Sequence, residues 1–461
     1  MWEQYHEVNQ RIENGENKQI KIESKGEKIS WHLPYKKMDD SVNNPFYEQI
    51  PSINIRDIIG FAMENTQFDK AFTNALPRYS KAKFDTDSLT ACLVAGATGT
   101  GNERMGEISD VNTHELNTLF SNFFYPEALR NANDFIVNKT AQLKILQFYN
   151  LSELGIHASV DGQKVETKSM TIYARYSKKY FGFGRGRSCY SLIANHLPIN
   201  GKVIGTNDHE SHHLLDIVYN NTSDVKIVAV SGDSHSVNRV NFALLYLFGY
   251  RFMPRFRNFP KKAQENLVCF GDSETLANLL IKPKGQVKEQ LIIKEWDNIL
   301  RILASLARKD TSQANIVKKL SSYKKLSPTL KALIEFDNVI MSLYMLEYVD
   351  DSEMRSNVHR SLNRGEAFHQ LVSAIRKVGG GKLPGKKENE FVMYNECTRL
   401  LANCIIYYNA TLLSSLFWAY EKSGDKEKCE LIKRLSPVAW QHINMVGKYE
   451  FHLGKVISIR K

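Results

Sequence analysis

Two aspartates in this chain each close a short run of apolar and β-branched residues. Asp161 ends the run IHASVD, and Asp233 ends the run VKIVAVSGD. Carboxylates at the strand ends of an α/β unit lie at an edge of the sheet that ligands can approach. Two such acids on neighbouring strands could share a divalent cation, and a third acid from a helix would complete a clamp for two cations. The pattern therefore predicts a metal site suited to phosphoryl transfer with Mg²⁺, which prefers oxygen ligands.

Each aspartate also has a purely structural explanation. Asp161 and Gly162 form a common turn dipeptide, and Asp233 could cap the N-terminus of a helix. His209 and His213, four residues apart on an expected helix, suggest a zinc site. Such a pair is more often part of a solvated helix face than of a metal site, so the solvated face is the simpler interpretation. Spacing alone leaves these alternatives open.

A basic and aromatic stretch follows the first aspartate. Between residues 175 and 187 there are arginines and lysines but no carboxylate, and tyrosines and phenylalanines alternate with them. Cations neutralise phosphates and aromatic rings stack on bases, so the stretch predicts contact with DNA rather than a merely solvated basic face. A second group of arginines follows in YRFMPRFRNFPKK. The predicted DNA-contacting residues are Arg175, Lys178, Lys179, Arg185, Arg187, Arg251, Arg255 and Arg257.

Composition is typical of a soluble globular protein with a polyanionic partner. The 461 residues are 43% hydrophobic and 24% charged, with a formal net charge of +11. Such a charge favours nucleic acid or an anionic membrane and does not separate the two. The charged N-terminus has no apolar leader, and the six cysteines include no CxxC pair. We therefore expect reduced thiols in a cytoplasm, without a structural zinc site.

One uncharged segment needs a membrane test. The residues between Arg399 and Glu421 are long enough as a helix to span a bilayer. They include Asn403 and Asn409, whose amides would need partners inside lipid at a high energetic cost. A buried core helix is therefore the prediction.

The residue pattern divides the chain into three regions. Apolar residues recur at three- and four-residue spacing from Ile53 to Asn150 and after Pro260, which predicts helices. Between them, the runs IHASVDG, KSMTIYARY, GKVIGTN and VKIVAVSGD predict strands of an α/β unit. The glycines of AGATGTG (95–101) are interpreted as a helix–helix turn, because no Lys-Ser/Thr pair follows them.

These motifs, taken in order, resemble the transposases of the Tn-three family, the replicative bacterial transposases. The family's first-aspartate region is similar to DGQ…YARYSKKYFGFGRGR, and its second-aspartate region to AVSGDSHSVNRVNFALLYLFGYRFMPRFRN. The order continues through IIKEWDNILRILASL and SLNRGEAFHQLVSAI to LSPVAWQHINMVGKYEF. The resemblance covers roughly residues 50 to 455.

The resemblance implies a DDE catalytic domain. Carried onto this chain, its three acids are Asp161, Asp233 and Glu366, which would hold two Mg²⁺ ions, with Mn²⁺ as a substitute. They would nick DNA at transposon ends and transfer the freed 3′-hydroxyl into target DNA. Glu366 is expected to begin a helix after the turn at residues 363–365, where the helix dipole favours an acid.

The implied fold is an α/β RNase H-like core with a helical insertion, flanked by mainly α-helical segments. The long separation between Asp233 and Glu366 is the reason for expecting the insertion. The expected divisions are 1–50 as a polar upstream segment, 51–154 as a helical linker or scaffold, 155–260 as the first part of the core, 261–350 as the helical insertion, and 351–461 as the helical C-terminal part of the catalytic domain.

The chain departs from the family pattern in motif and in length. Gly232 precedes Asp233 where the family usually has a threonine, and residues 157–160 carry fewer serines than the family. Family members are much longer, with N-terminal domains that bind the terminal repeats. The chain is therefore expected to be a catalytic C-terminal half, for which a separate N-terminal transposase polypeptide would be a partner.

The expected partner is DNA, at the transposon ends and at the target. Joining two ends needs at least two protomers, so a homodimer or a higher assembly on DNA is expected. The expected location is the bacterial cytoplasm, with the nucleoid and without a membrane. Two other functions stay open: a non-catalytic DNA-binding remnant that inhibits an intact transposase, and a stand-alone RNase H-like nuclease.

Overall fold

The computed structural model describes residues 1–25, 28–34, 44–75, 83–153, 155–321 and 326–452, so parts of the upstream segment lie outside the described residues. The helices are α1 (Trp2–Glu13), α2 (Ile55–Thr66), α3 (Thr86–Thr98), α4 (Asn102–Ile108), α5 (Thr113–Phe123), α6 (Pro126–Ala141), α7 (Lys144–Gln147), α8 (Lys178–Phe181), α9 (Leu214–Tyr219), α10 (Asn241–Leu247), α11 (Phe259–Asn266), α12 (Glu289–Ala307), α13 (Gln313–Ser321), α14 (Pro328–Asp350), α15 (Ser352–Lys377), α16 (Glu388–Ser423) and α17 (Lys426–Arg434). The strands are β1 (Lys21–Lys25), β2 (Lys28–His32), β3 (Ile53–Asn54), β4 (Ile156–Glu166), β5 (Arg175–Tyr176), β6 (Arg185–Ala194), β7 (Leu197–Gly205), β8 (Ile227–Ser231), β9 (Arg251–Phe252), β10 (Val268–Cys269), β11 (Gly285–Gln286) and β12 (Ile443–Asn444).

A mixed sheet is formed by β4 to β9. Its order is β7–β6–β4–β8–β9, and the short β5 pairs with the start of β6. Strands β4, β6 and β7 are antiparallel neighbours, whereas β4, β8 and β9 run parallel. Residues 157–160 of β4 are all buried, as expected for a central strand that is covered on both faces. This order and polarity agree with the RNase H-like core that the resemblance implies.

The sequence pattern located the strands only in part. The predicted strand KSMTIYARY is wrong over most of its length, because only Arg175 and Tyr176 pair with β6. Met170 and Ile172 are 82% and 78% exposed, so these two apolar side chains do not pack into the core. The main antiparallel partner of β4 is β6. The prediction missed this strand because its first residues are arginines and a glycine.

Glu366 lies in the interior of α15. The prediction that it begins a helix is wrong, because the helix runs from Ser352 to Lys377. A Cβ at Gly365 would lie 3.2 Å from Oγ of Ser159 on β4. Gly365 therefore allows the helix to approach the strand closely, and this packing outweighs the low helix propensity of glycine.

The long uncharged segment is a core helix. Helix α16 is apolar and long enough to cross a membrane, but 78% of its most apolar window is buried within the protein. The amide of Asn403 donates to Asn133 at 2.8 Å, and that of Asn409 donates to the carbonyl of Pro437 at 2.8 Å. The side-chain N–H groups of these two asparagines therefore have protein partners, as expected for a core helix.

Residues 99–101 of the glycine-rich stretch connect two helices, as predicted, whereas residues 95–98 belong to α3. Helix α3 ends at Thr98, and α4 begins at Asn102. Gly99 and Gly101 have φ values of +75° and +86°, which side chains disfavour. The glycines are therefore required by the turn itself.

The N-terminal helix packs against the region predicted as an insertion. The hydroxyl of Tyr5 donates to the carbonyl of Val268 at 2.9 Å, and the amide of Asn9 donates to the carbonyl of Ile281 at 2.9 Å. Helix α1 is therefore part of the folded body. The division of the chain into domains stays a prediction.

Candidate active site

The pairing of β4 with β8 brings the two aspartates to the same part of the sheet. Ser159 on β4 pairs with Ser231, the last residue of β8, and the strands are parallel. Asp161 and Asp233 each follow two residues later along their own segments, just beyond the last paired residues of the two adjacent strands. Asp161 does not end its strand as predicted, since β4 continues to Glu166, but it lies just beyond the pairing with β8.

The third acid reaches this place from α15. A carboxylate oxygen of Asp161, one of Glu366 and a ring nitrogen of His369 all lie within 4.8 Å of one another. Glu366 is exposed, whereas His369 is buried. The helix is held over the strand by Gln163 of β4, whose amide donates to the carbonyl of His369 at 3.0 Å. The structure therefore brings Asp161 and Glu366 together and adds a histidine.

Negative charge accumulates around Asp161. Burial raises the pKa of Asp161 to about 7, against the hydrogen bond from the Gly162 amide, and the charges of Glu210, Asp233 and Glu366 act in the same direction as burial. Asp233 therefore lies close enough for its charge to act on Asp161. A bound divalent cation would neutralise this repulsion, so the donor atoms and their charge fit such an ion.

Asp233 also has a local structural role. Its Oδ1 accepts a hydrogen bond from the His235 amide at 2.8 Å and caps the short 3₁₀ turn Ser234–Ser236. The capping alternative is thus confirmed for this oxygen. A carboxylate has two oxygens with several acceptor sites, so capping and cation binding are compatible.

Glu210 is an acid that the sequence analysis did not identify. It forms an ion pair with Lys164 of β4 and accepts a hydrogen bond from Oγ of Ser188 at 3.1 Å. A Cβ at Gly162 would lie 2.2 Å from Oε1 of Glu210, so this glycine makes room for the carboxylate. No local signal marks Glu210, because its partners lie far away along the chain.

His369 could have been found from spacing. It follows Glu366 by three residues, which places both on one face of a helix, and Glu-x-x-His is a known metal-ligand spacing. Burial lowers the pKa of His369 to about 4, so the ring is neutral at ordinary pH. The other histidine pair is different: among the described residues, neither His209 nor His213 belongs to a group of three possible metal ligands.

An open cleft of about 870 Å³ adjoins the acids. Asp161, Glu366 and His369 line it together with basic, aromatic and small side chains from β4, α8, α15 and the segment around β12. Lys164 and Lys377 contribute positive charge to its wall. The cleft can therefore admit a chain of phosphates beside the carboxylates.

Most of the predicted DNA-contacting side chains reach solvent. The exposed ones are Arg175, Lys178, Lys179, Arg185, Arg251, Arg255 and Arg257. Arg251 forms an ion pair with Glu347. Arg187 differs because it is buried, donates to the carbonyl of Tyr173 at 2.7 Å and pairs with Glu388. The structure therefore does not present Arg187 to a phosphate.

Fold and site together define a class of domain. A sheet in the order β7–β6–β4–β8–β9, with acids beyond the pairing of two adjacent parallel strands and a helix packed across them, is typical of RNase H-like domains. The family described as "Tn3 transposase DDE domain" matches residues 57–449. The chain belongs to this family, which confirms the resemblance found in its motifs.

Several curated transposases are similar to this chain. The transposase of transposon Tn1546 from Enterococcus faecium is 25% identical over 90% of this chain and 41% of its own length. The transposase of transposon gamma-delta from Escherichia coli K12 is 25% identical over 89% of this chain and 41% of its own length. The transposase of transposon Tn2501 from Escherichia coli is 27% identical over 96% of this chain and 44% of its own length. The chain thus spans about two fifths of the length of these relatives.

One solved structure is a distant neighbour. It is a cryo-EM structure of a piggyBac transposase synaptic complex with hairpin DNA, which is 10% identical and covers 70% of this chain and 78% of its own. The TM-score of 0.24 is too low for the likeness to carry an argument about this chain.

Proposed function

We propose that this domain cuts and joins DNA strands in transposition, with Asp161, Asp233 and Glu366 as its catalytic acids. The observation that carries the proposal is that Asp161 of β4 and Glu366 of α15 meet at one cleft. The charge of Asp233, two residues beyond the adjacent strand β8, acts together with burial to raise the pKa of Asp161. Divalent cations bound by these carboxylates, Mg²⁺ or Mn²⁺ in its place, would supply Lewis acidity to the attacking and leaving oxygens.

The reaction consists of two phosphoryl transfers. In the first, water attacks a phosphodiester at a transposon end, the bond between phosphorus and the 3′-oxygen breaks, and a 3′-hydroxyl is freed. In the second, that hydroxyl attacks a phosphodiester of target DNA and loses its proton, while the target's own 3′-oxygen leaves and gains one. Each step exchanges one P–O bond for another, so the domain needs only to position and stabilise charge.

The protein's own contribution is to hold DNA at the acids. Lys377 lines the cleft, where it can contact phosphates, whereas Lys164 is already paired with Glu210. The exposed cations Arg175, Lys178, Lys179, Arg185, Arg251, Arg255 and Arg257 would extend these contacts along the DNA. Phosphate contacts carry no base information, so these residues are not expected to select a sequence.

We also infer the organisation around this centre. Helices α12 to α14 lie in the chain between β9 and the helix that carries Glu366, which supports a helical insertion over residues 261–350. Two transposon ends must be joined in one event, which supports a homodimer or a higher assembly on DNA. An enzyme that acts on a bacterial replicon would work in the cytoplasm at the nucleoid.

A supercoiled-plasmid assay tests the proposal. With Mg²⁺ or Mn²⁺, the chain should convert supercoiled plasmid to nicked circles, and Asp233→Ala should abolish this activity. Asp224→Ala is the matched control, since Asp224 is an exposed aspartate before the opposite end of β8. Nicking that survives in Asp233→Ala would contradict the assignment of this acid.

The same assay separates the two other functions. DNA binding without nicking in any divalent cation would favour a non-catalytic DNA-binding remnant. Nicking without joined products, when an oligonucleotide with a free 3′-hydroxyl is supplied, would favour a stand-alone nuclease. Covalent joining of that oligonucleotide to the plasmid is the outcome expected of a transposase.

A further inference from the structure

The cluster of acids contains a histidine that the family resemblance does not assign. We propose that His369 is a nitrogen ligand of a cation shared with Asp161 and Glu366, and that this nitrogen favours a transition-metal ion such as Mn²⁺ over Mg²⁺. The inference rests on the proposed function and deepens it, because it specifies the ligand set and the metal preference of the same centre.

The geometry of the three side chains supports a shared ion. One ring nitrogen of His369 lies within 4.8 Å of a carboxylate oxygen from each acid. Its Nδ1 is 3.6 Å from Oδ2 of Asp161, which is too long for a hydrogen bond. Two ligands of one ion, each about 2.1 Å from it, can be up to about 4 Å apart, so the separation of Nδ1 from Oδ2 is compatible with a shared ion.

A second observation points to a ligand at the histidine itself. His369 is only 6% exposed, and its Nε2 is buried with no hydrogen-bond partner among the described residues. Buried polar atoms in proteins are almost always paired. Nδ1 faces Asp161 without a hydrogen bond, so no hydrogen bond among the described residues occupies the lone pair of the nitrogen that faces the acids.

The backbone beneath the site is held firmly. The amide of Gln163 on β4 donates to the His369 carbonyl at 3.0 Å and to Oγ of Ser373 at 2.8 Å. Arg376 in turn donates to Oε1 of Gln163 at 3.2 Å. These bonds fix the register of α15 against the strand that carries Asp161, as a preorganised metal site requires.

The nitrogen has a chemical consequence. Mg²⁺ takes oxygen ligands and keeps several waters, whereas imidazole suits transition metals. A site with two carboxylates and one imidazole is therefore expected to bind Mn²⁺ or Co²⁺ more tightly than Mg²⁺. A site with carboxylates alone would discriminate less between these transition-metal ions and Mg²⁺.

Pulsed electron paramagnetic resonance of bound Mn²⁺ tests the ligand directly, without DNA or turnover. The full chain loaded with Mn²⁺ should show coupling to an imidazole ¹⁴N nucleus. His369→Gln should abolish the coupling and weaken Mn²⁺ binding by about tenfold or more. It should change Mg²⁺ binding less, since glutamine still offers an oxygen. His359→Gln, on the same helix but away from the acids, is the matched control and should keep the coupling.

The outcomes distinguish the inference from the function beneath it. Mn²⁺ bound by the wild type without ¹⁴N coupling, or with coupling that persists in His369→Gln, would overturn the inference and leave the carboxylate centre intact. Mn²⁺ affinity unchanged in both Asp161→Asn and Glu366→Gln would refute the centre itself. The presence or absence of ¹⁴N coupling in the wild-type spectrum tests the inference even if His369→Gln does not fold.

Discussion

The raised pKa of Asp161 predicts a steep loss of cation affinity just below neutral pH. A carboxyl group must be deprotonated to bind a cation, so the apparent affinity follows its deprotonated fraction. With a pKa of about 7, a change from about pH 7.5 to about pH 5.5 should weaken Mn²⁺ binding about 25-fold. An aspartate with the ordinary pKa of 3.8 would leave the affinity almost unchanged over this range.

The assay is a titration of the full chain with Mn²⁺, in which resonance of the free ion gives the bound fraction at each pH. Glu210→Gln should reduce the drop, because Glu210 is one of the charges that raise the pKa of Asp161. Asp224→Asn, an exposed aspartate at the far end of β8, should leave the drop unchanged. His369 should not titrate within this pH range, because burial lowers its pKa to about 4.

Two results would refute this reasoning. Equal Mn²⁺ affinity at both pH values would mean that the carboxyl group has an ordinary pKa and that burial and mutual repulsion do not act on it. A drop of the same size in Asp161→Asn would mean that another group titrates.

Other parts of the chain yield predictions that do not depend on cation binding. Lys178→Ala with Arg185→Ala should lower the slope of log DNA affinity against log salt by up to about 2, measured by fluorescence anisotropy; an unchanged slope would exclude these phosphate contacts. Burial raises the pKa of Asp337 to about 8. Wild-type stability should therefore fall as pH rises from about 4 to about 8, since only the unfolded state ionises there, and urea unfolding should show a smaller fall in Asp337→Asn. Arg399→Met should lower the free energy of unfolding by about 3 kcal/mol, because Glu396 stays buried without its partner; an unchanged urea midpoint would contradict this.

Local patterns were sufficient for part of the fold. The β-branched runs around Asp161 and Asp233 predicted strands, and the asparagines within the uncharged stretch separated a core helix from a membrane span. Local patterns gave the wrong prediction where packing between distant residues overrides local preference. Gly365 suggests a break before Glu366, yet the helix continues because the glycine lies against Ser159. The β-rich run at residues 168–176 suggests a strand, yet Met170 and Ile172 face solvent.

The amino-acid sequence by itself determined the family, the β-rich runs that lead to Asp161 and Asp233, and the basic net charge, because these follow from motifs, short-range periodicity and composition. Only the tertiary structure placed His369 next to Asp161 and Glu366 and the negative charge of Glu210 near Asp161. It also showed that Arg187 is buried and paired with Glu388. The reason is physical. Each of these outcomes depends on contacts between residues that are far apart along the chain, and such contacts are set by strand register and helix packing rather than by any local pattern.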